Sequence, residues 1–221
     1  MSHEPVYSRQ LIARAVVLCL CSGLALVYVG CAQNATSPSP SAVAADVGAE
    51  TKPESELVDN PEYLSWNRFP VDTRVVRRRE IVGAQGKVEV VTTMTIREKT
   101  EQKIVVDQQI TVIRPESTLE NEPQSLEYVA KFPLPAGMQL ESFSLPSLKA
   151  QQTGAEEVEL LGNKYQAEIF EWVEQNERGP MNVKLWRSEE VPGRTIKEES
   201  IVQNGNDHIL EVVIEIFLPE E

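Results

Sequence analysis

Three long segments of this chain alternate apolar and polar residues with a period of two, and no other feature constrains the fold as strongly. Successive side chains of a β-strand point to opposite faces of a sheet, so each segment would have one apolar face. These faces are Val88, Val90, Thr92, Met94 and Ile96 in the first segment, Ile104, Val106, Ile110 and Val112 in the second, and Leu210, Val212, Ile214, Ile216 and Leu218 in the third. Half-buried strands of this kind are typical of antiparallel sheets.

Turn signals divide the rest of the carboxy-terminal region into further strands. Pairs such as Gln85-Gly86, Gly162-Asn163 and Asn204-Gly205 suit tight turns. The strands are predicted at residues 73–83, 87–98, 102–114, 126–132, 155–161, 165–175, 181–188, 194–203 and 208–218. The pattern therefore predicts an all-β domain over residues 59–221, built as a curved antiparallel meander sheet or half-barrel.

Residues 61–67 predict a short helix before the sheet. Asn60 is a favourable N-cap residue, Pro61 suits the first helical position, and Glu62 suits the positive end of the helix dipole. Tyr63, Leu64 and Trp66 would pack this helix onto the sheet.

A Pro-rich section between residues 115 and 154 interrupts the alternation. Proline cannot donate to a sheet ladder, so we expect this section to be loop or edge that covers an open face of the sheet. Its prolines are Pro115, Pro123, Pro133, Pro135 and Pro146. Two interpretations remain open: a fixed cap that completes the core, and a mobile cover displaced by a ligand. If the cover is mobile, the candidate ligand-binding residues are Phe132, Leu134, Met138, Leu140, Phe143 and Leu145.

The amino terminus has the pattern of a membrane-targeting signal. Arg9 and Arg14 precede an uncharged run from Ala15 to Gly30, which at 16 residues is shorter than the ~20 that span a bilayer. Val29-Gly30-Cys31 resembles the lipobox of bacterial lipoproteins. The resemblance implies cleavage of residues 1–30 and acylation of Cys31, and Ala32 in place of aspartate implies the outer membrane, facing the periplasm. An uncleaved anchor that starts near Leu11 and a plain secretory signal are the alternatives.

Residues 31–58 predict a flexible tether. They are rich in Pro, Ser, Ala and acidic residues and contain no aromatic residue. Such a segment buries too little apolar surface to offset the entropy of ordering it. We expect it to hold the β domain away from the membrane.

The cysteines and histidines exclude several classes of protein. The cysteines are Cys19, Cys21 and Cys31, so the predicted domain has no disulfide and no thiolate zinc site. His208 is the only histidine after residue 31, and we find no known catalytic motif. We therefore predict no enzymatic activity, no cofactor and no metal. The chain has 21 basic and 34 acidic residues, and a net charge of −13 argues against nucleic acid as a partner.

A fold-level resemblance lies between residues 162 and 193. Gly162-Asn163-Lys164-Tyr165 is followed by Phe170-Glu171-Trp172 and then by the run Val183 to Gly193, VKLWRSEEVPG. This order resembles uncharacterised lipoproteins of planctomycete type and, more distantly, half-barrel proteins similar to LolA and LolB. The resemblance implies a curved antiparallel sheet around a hydrophobic cavity for acyl chains. It marks turns and packing, and it transfers no functional residue.

The remaining clusters favour structural roles. Arg74, Arg77, Arg78 and Arg79 alternate between faces of a predicted strand, which favours pairing with surface carboxylates over a basic binding patch. Trp172 and Trp186 are expected to make a cross-strand aromatic contact. The whole sequence thus predicts a non-enzymatic envelope lipoprotein, held to the membrane through acylated Cys31, that binds an apolar ligand or acyl chain. The alternative is a scaffolding lipoprotein that contacts another envelope protein.

Overall fold

The protein folds as an open, curved antiparallel sheet, described by a computed structural model for residues 57–84, 86–134, 137–177, 179–203 and 207–220. The strands are β1 (Leu57–Asp59), β2 (Arg74–Gly83), β3 (Gly86–Lys99), β4 (Lys103–Arg114), β5 (Ser117–Glu120), β6 (Gln124–Val129), β7 (Lys131–Pro133), β8 (Gln151–Leu160), β9 (Asn163–Asn176), β10 (Gly179–Arg187), β11 (Thr195–Val202) and β12 (His208–Phe217). The helices are α1 (Pro61–Asn67) and α2 (Glu141–Ser144).

Most of these strands belong to one large sheet. Its order is β5-β4-β3-β2-β12-β11-β10-β9-β8, with β6 also paired to β4, and every pair is antiparallel. β1 pairs separately with β7. The sheet does not close into a barrel, because β8 at one end pairs only with β9 among the described residues. The predicted all-β class and the curved antiparallel sheet are confirmed.

Irregularities in strand pairing bend the sheet and change which side chains are buried. Register shifts interrupt β3 beyond Ile96, β8 beyond Gln152 and β12 beyond Val213. An extra residue of this kind increases local twist and redirects the side chains that follow it. The face predicted from the alternation of β12 is therefore wrong before the shift and right after it. Val213 is buried and Val212 lies on the opposite face, Ile214 is exposed, and Ile216 packs against the core.

Helix α1 begins as its sequence predicts. Asn60 is the N-cap, its Oδ1 accepts a hydrogen bond of 3.0 Å from the Glu62 amide, and Pro61 is the first helical residue. Tyr63 and Trp66 are buried, as expected, and the Tyr63 hydroxyl donates to the Thr100 carbonyl at 2.9 Å. Leu64 is 45% exposed, so the expectation that it packs onto the sheet is wrong. In one turn of helix, Leu64 points away from the side that carries Tyr63 and Trp66.

Most of the core lies on one face of the sheet, which we call the inner face, and Ile169 and Trp186 of the same cluster belong to the other face by register. The inner face carries Val75, Ile96, Val106 and Val213, all of them buried and in one cluster with Trp66. The register continues this face across β10 and β9 to Leu185 and Phe170. A sheet with one face packed and the other facing solvent gives the alternation that the sequence shows.

Several sequence predictions lie outside the described residues. They are the signal at residues 1–30, Cys31 and the tether as far as residue 56. The tether's predicted last residues, Leu57 and Val58, belong to β1. Helices α1 and α2 have seven and four residues, and no helix in the described part of the chain is long and apolar enough to cross a bilayer.

Candidate functional site

The candidate site is the part of the inner face that lies under residues 137–149, which we call the covering segment. This segment connects the small β1–β7 sheet to β8 and contains α2. The Phe143 ring meets Phe132 of β7 edge to face, with 5.0 Å between centroids. At the end of the segment, buried Ala150 packs against Phe170 and Leu185. The part of the proline-rich section after β7 therefore lies over the sheet, whereas β5 and β6 of the same section extend the edge of the sheet beside β4.

The structure separates the six predicted ligand-binding residues into two groups. Phe132 is buried, and Leu134 and Phe143 are half-buried. The other three are exposed on the covering segment together with Leu148: Met138 is 45% exposed, Leu140 37%, Leu145 37% and Leu148 72%. A soluble protein seldom leaves large apolar side chains grouped on its surface unless they meet another molecule.

The covering segment is held mainly by local backbone hydrogen bonds. The amides of Ser142 and Phe143 donate to the carbonyls of Gln139 and Leu140. The Ala150 amide donates to Ser147 within the following turn. A long-range hydrogen bond joins the segment to the sheet, because Arg187 Nη1 donates to the Ser144 carbonyl at 2.8 Å. Among the described residues the segment thus has fewer long-range hydrogen bonds than a strand in the middle of the sheet, and such a segment opens more easily.

The surface beneath the segment is an apolar cluster on β9 and β10. Phe170 is paired with Leu185, and Trp172 with Val183, on the inner face. Phe170 and Leu185 are buried with Ala150, and Trp172 packs against them. The sequence analysis identified the residues of the cover but not this floor, although Phe170, Trp172, Val183 and Leu185 alternate along their strands.

Arg187, the last residue of β10, lies at the edge of the apolar floor. Its guanidinium carbon is 5.7 Å from the centroid of the Phe170 ring. Burial, with the nearby positive charge of Arg194 as the second cause, lowers the pKa of Arg187 to about 10, well below its ordinary value. The carboxylates of Glu62, Glu189 and Glu168 act in the opposite direction.

Arg194 fixes the loop between β10 and β11 next to this site. Its side chain is buried, and Nη2 lies 3.1 Å from Oε1 of Glu62 in α1. A longer ion pair of 3.8 Å joins Nη1 to Glu189. Arg194 therefore has two carboxylates within ion-pair distance, and Arg187 has none among the described residues.

A groove of about 560 Å³ lies on the opposite, outer face of the sheet across β8–β11. Its lining includes Gln151, Glu171, Asn182, Lys184, Glu199 and Ile201. Lys184 pairs with Glu171 at 3.2 Å, and Glu199 pairs with His208 at 3.0 Å. Charged and amide side chains share this groove with apolar residues, and Lys149 of the covering segment also lines it. The apolar residues are Trp172, Val173, Val183 and Ile201.

The expected contact between Trp172 and Trp186 is wrong. Trp172 lies opposite Val183 and Trp186 opposite Ile169, so the two indoles are on different faces of the sheet. Trp186 Nε1 donates to Glu156, and the ammonium groups of Lys184 and Lys197 lie over its ring. A hairpin register that pairs residues 172 and 183 leaves residue 186 on the other side of the pleat.

The arginines of β2 are engaged within the protein, as the sequence analysis favoured. Arg74, Arg78 and Arg79 form ion pairs with Glu215, Glu80 and Glu211, and Arg77 donates to the carbonyls of Pro192 and Gly193. In the described ranges, no three His, Cys, Asp or Glu side chains are grouped so that they could hold a metal ion.

Comparison with known proteins yields distant structural likenesses. No family model matches the chain, and no curated protein sequence matches it. Three similar solved structures are a "putative lipoprotein" of Parabacteroides distasonis, an exported protein of Bacteroides fragilis with a YmcC-like fold, and a domain of an outer membrane lipoprotein-sorting protein of Vibrio parahaemolyticus, the last two also named as putative.

These structures share little sequence with the chain. Identities are 9%, 11% and 10%, and TM-scores are 0.40, 0.41 and 0.23, respectively. Each alignment covers 67% of this chain and, in the same order, 97%, 97% and 87% of the other chain. At these TM-scores the likeness does not establish a shared function.

Proposed function

We propose that this protein is a non-enzymatic envelope lipoprotein that binds an acyl chain or similar apolar ligand between its covering segment and the inner face of its sheet. One observation carries the proposal: a weakly tied segment with exposed apolar side chains lies over a buried apolar floor. An acyl chain that entered between the two layers would contact Phe170, Leu185 and the apolar side chains of the segment.

Energetics favour such an exchange. Burial of apolar surface stabilises a complex by about 25 cal/mol per Å². When the segment moves away, the floor loses apolar contacts, and an inserted acyl chain would replace them. Met138, Leu140, Leu145 and Leu148 are already partly in water, and a ligand would bury them further. The closed form protects the floor from water when no ligand is present.

The proposed anchor rests on the sequence. Arg9 and Arg14, the 16-residue uncharged run and Cys31 support acylation and attachment to a membrane, with the outer membrane favoured by Ala32. Two or three acyl chains would give stable attachment, since each buried methylene contributes about 0.8 kcal/mol. Metabolic labelling with radioactive palmitate should mark the wild type and Cys21→Ser but not Cys31→Ser. Equal labelling of both variants would remove the anchor from the proposal.

Ligand binding is tested with the full chain in lipid nanodiscs and a photoreactive, uncharged hexadecanol. Cross-linked peptides should include residues 137–150 and the Phe170 region of β9. Labelling confined to residues 1–31 would contradict the proposal. Native mass spectrometry of the purified protein gives a second readout, because a bound lipid adds its mass to the intact chain.

A scaffolding role is the second candidate, and it rests on the sheet edge. β8 has seven consecutive exposed residues, Gln151 to Glu157, and its outer side is unpaired among the described residues. An edge strand of this length is a template for a strand of another protein. This role predicts a protein cross-link on β8 from envelope membranes, with no lipid label on the inner face.

A further inference from the structure

Arg187 differs from Arg194 because no described carboxylate lies within ion-pair distance of it, although the carboxylates of Glu62, Glu189 and Glu168 act on it from farther away. Of the described side chains, none places a carboxylate oxygen within ion-pair distance of its guanidinium, whose described hydrogen bond goes to the Ser144 carbonyl. Glu168 is opposite Arg187 in the β9–β10 register, but Glu168 accepts instead from Gln152 Nε2 at 3.3 Å. A partly desolvated cation without an anion is costly to keep.

The guanidinium of Arg187 has the donor geometry that an anion requires. The positive charge of Arg194 is paired with Glu62 and Glu189, so the anion would bind to Arg187 itself. A guanidinium presents a planar set of N–H donors that matches a carboxylate or a phosphate with two parallel hydrogen bonds. The backbone carbonyl of Ser144 satisfies only part of this set.

The position of Arg187 identifies what kind of molecule would supply the anion. On one side is the Phe170 ring, from which the apolar floor continues to Leu185 and Trp172. On the other side is the covering segment, which Arg187 itself contacts through Ser144. A molecule that reaches both features has an apolar chain with a negative group at its end.

We propose that Arg187 binds the anionic end of the apolar ligand, a carboxylate or a phosphate group, in exchange for its hydrogen bond to Ser144. This inference rests on the proposed function and adds a charge requirement to it. Free fatty acids and phospholipids share this chemistry, and they differ in whether the anion is a carboxylate or a phosphate. Uncharged acyl chains would bind to the floor without an ion pair to Arg187.

The test compares three photoreactive probes of equal chain length in nanodiscs that contain the full chain: palmitate, hexadecyl phosphate and hexadecanol. The labelled fraction is measured over a series of probe mole fractions for the wild type, Arg187→Gln and Arg187→Lys. The matched control is Arg97→Gln, because Arg97 is exposed and pairs with Asp107 at 3.4 Å. Partitioning of each probe into the bilayer is the same for all variants, so the ratio between variants reports binding to the protein.

Arg187→Gln should raise the half-saturating mole fraction of at least one anionic probe about tenfold, as expected from loss of a charged hydrogen bond. The hexadecanol value should stay unchanged, and Arg187→Lys should give a smaller loss because it retains the charge. The probe with the larger loss identifies the anion as carboxylate or phosphate. Arg97→Gln should match the wild type with every probe.

Two outcomes overturn the inference in different ways. If Arg187→Gln weakens all three probes equally, or none, the anion site is wrong while acyl binding stands. If wild-type protein labels with no probe on the covered face, the proposed function fails as well. Thermal unfolding checks that the variants fold, and if Arg187→Gln does not, a selective loss of the anionic probes in Arg187→Lys decides the question.

Discussion

Gly193 lies directly against the indole of Trp66, so that a Cβ on Gly193 would be only 2.8 Å from a carbon of the ring. The same Cβ would be 2.8 Å from Nη2 of Arg77, which donates to the carbonyls of Pro192 and Gly193. Gly193 also has a φ of +67°, a conformation that favours glycine. This contact joins helix α1 to the β10–β11 loop beside the candidate site.

Gly193→Ala should therefore be more destabilising than the same change at an open glycine. Gly162 is the matched control, since its φ is +79° and a Cβ there would meet nothing within 4 Å. We expect Gly162→Ala to cost about 1 kcal/mol from its backbone conformation. Gly193→Ala should cost about 2–4 kcal/mol, because overpacking against Trp66 and Arg77 adds to the cost of the backbone conformation. Urea unfolding measures the free energy of unfolding of both variants. An equal decrease in the two would show that Trp66 moves aside without destabilising the protein.

Trp66→Ala should remove the main anchor of α1. Trp66 is 1% exposed and packs in the core cluster, and loss of a buried indole typically costs about 3–5 kcal/mol. Leu64→Ala, in the same helix, should change the free energy of unfolding by less than about 1 kcal/mol because Leu64 is on the solvent side. Comparable losses for the two variants in urea would contradict the buried position of Trp66.

Local patterns were sufficient to predict much of the fold. The period-two alternation located β2, β3 and β4, and Asn60-Pro61-Glu62 located the start of α1. The short strands β1 and β5 were missed, and β7 was merged with β6 into one predicted strand at residues 126–132, since three or four residues contain too little alternation to be recognised separately. The packing of both Val213 and Ile216 on the core side depends on a pairing irregularity, which is a property of two strands and not of one.

The candidate site was predictable on one side only. Its cover was visible as prolines among large apolar residues. Its floor at Phe170 and Leu185 depends on which face the hairpin register assigns to the covered side. Arg187 could not be recognised in the sequence, because its lack of a carboxylate partner follows from Glu168 pairing with Gln152 in three dimensions.

Hydrogen exchange should distinguish a mobile cover from a fixed cap. If residues 137–149 open independently, their amide hydrogens should exchange with solvent through local opening. This should occur at denaturant concentrations where the amides of β12 (His208–Phe217) remain protected from exchange. β12 is the matched reference because it lies inside the sheet, between β2 and β11. Mass spectrometry of peptides from both regions gives the rates. Equal protection of the two regions would establish the segment as a static part of the core.

Arg187→Met should separate the stability of the sheet from closure of the covering segment. Folding lowers the pKa of Arg187 to about 10, so the folded state disfavours its charged form. This cost to stability is present at neutral pH and disappears only as the pH rises above about 10. Methionine removes the charge and keeps apolar contact with Phe170, so the midpoint of thermal unfolding at pH 7 should rise. The hydrogen bond to Ser144 is lost at the same time, and amides of residues 137–149 should exchange faster. Arg97→Met, exposed on β3, should change neither quantity. A lower midpoint together with unchanged exchange would mean that Arg187 supports the sheet itself and does not hold the covering segment.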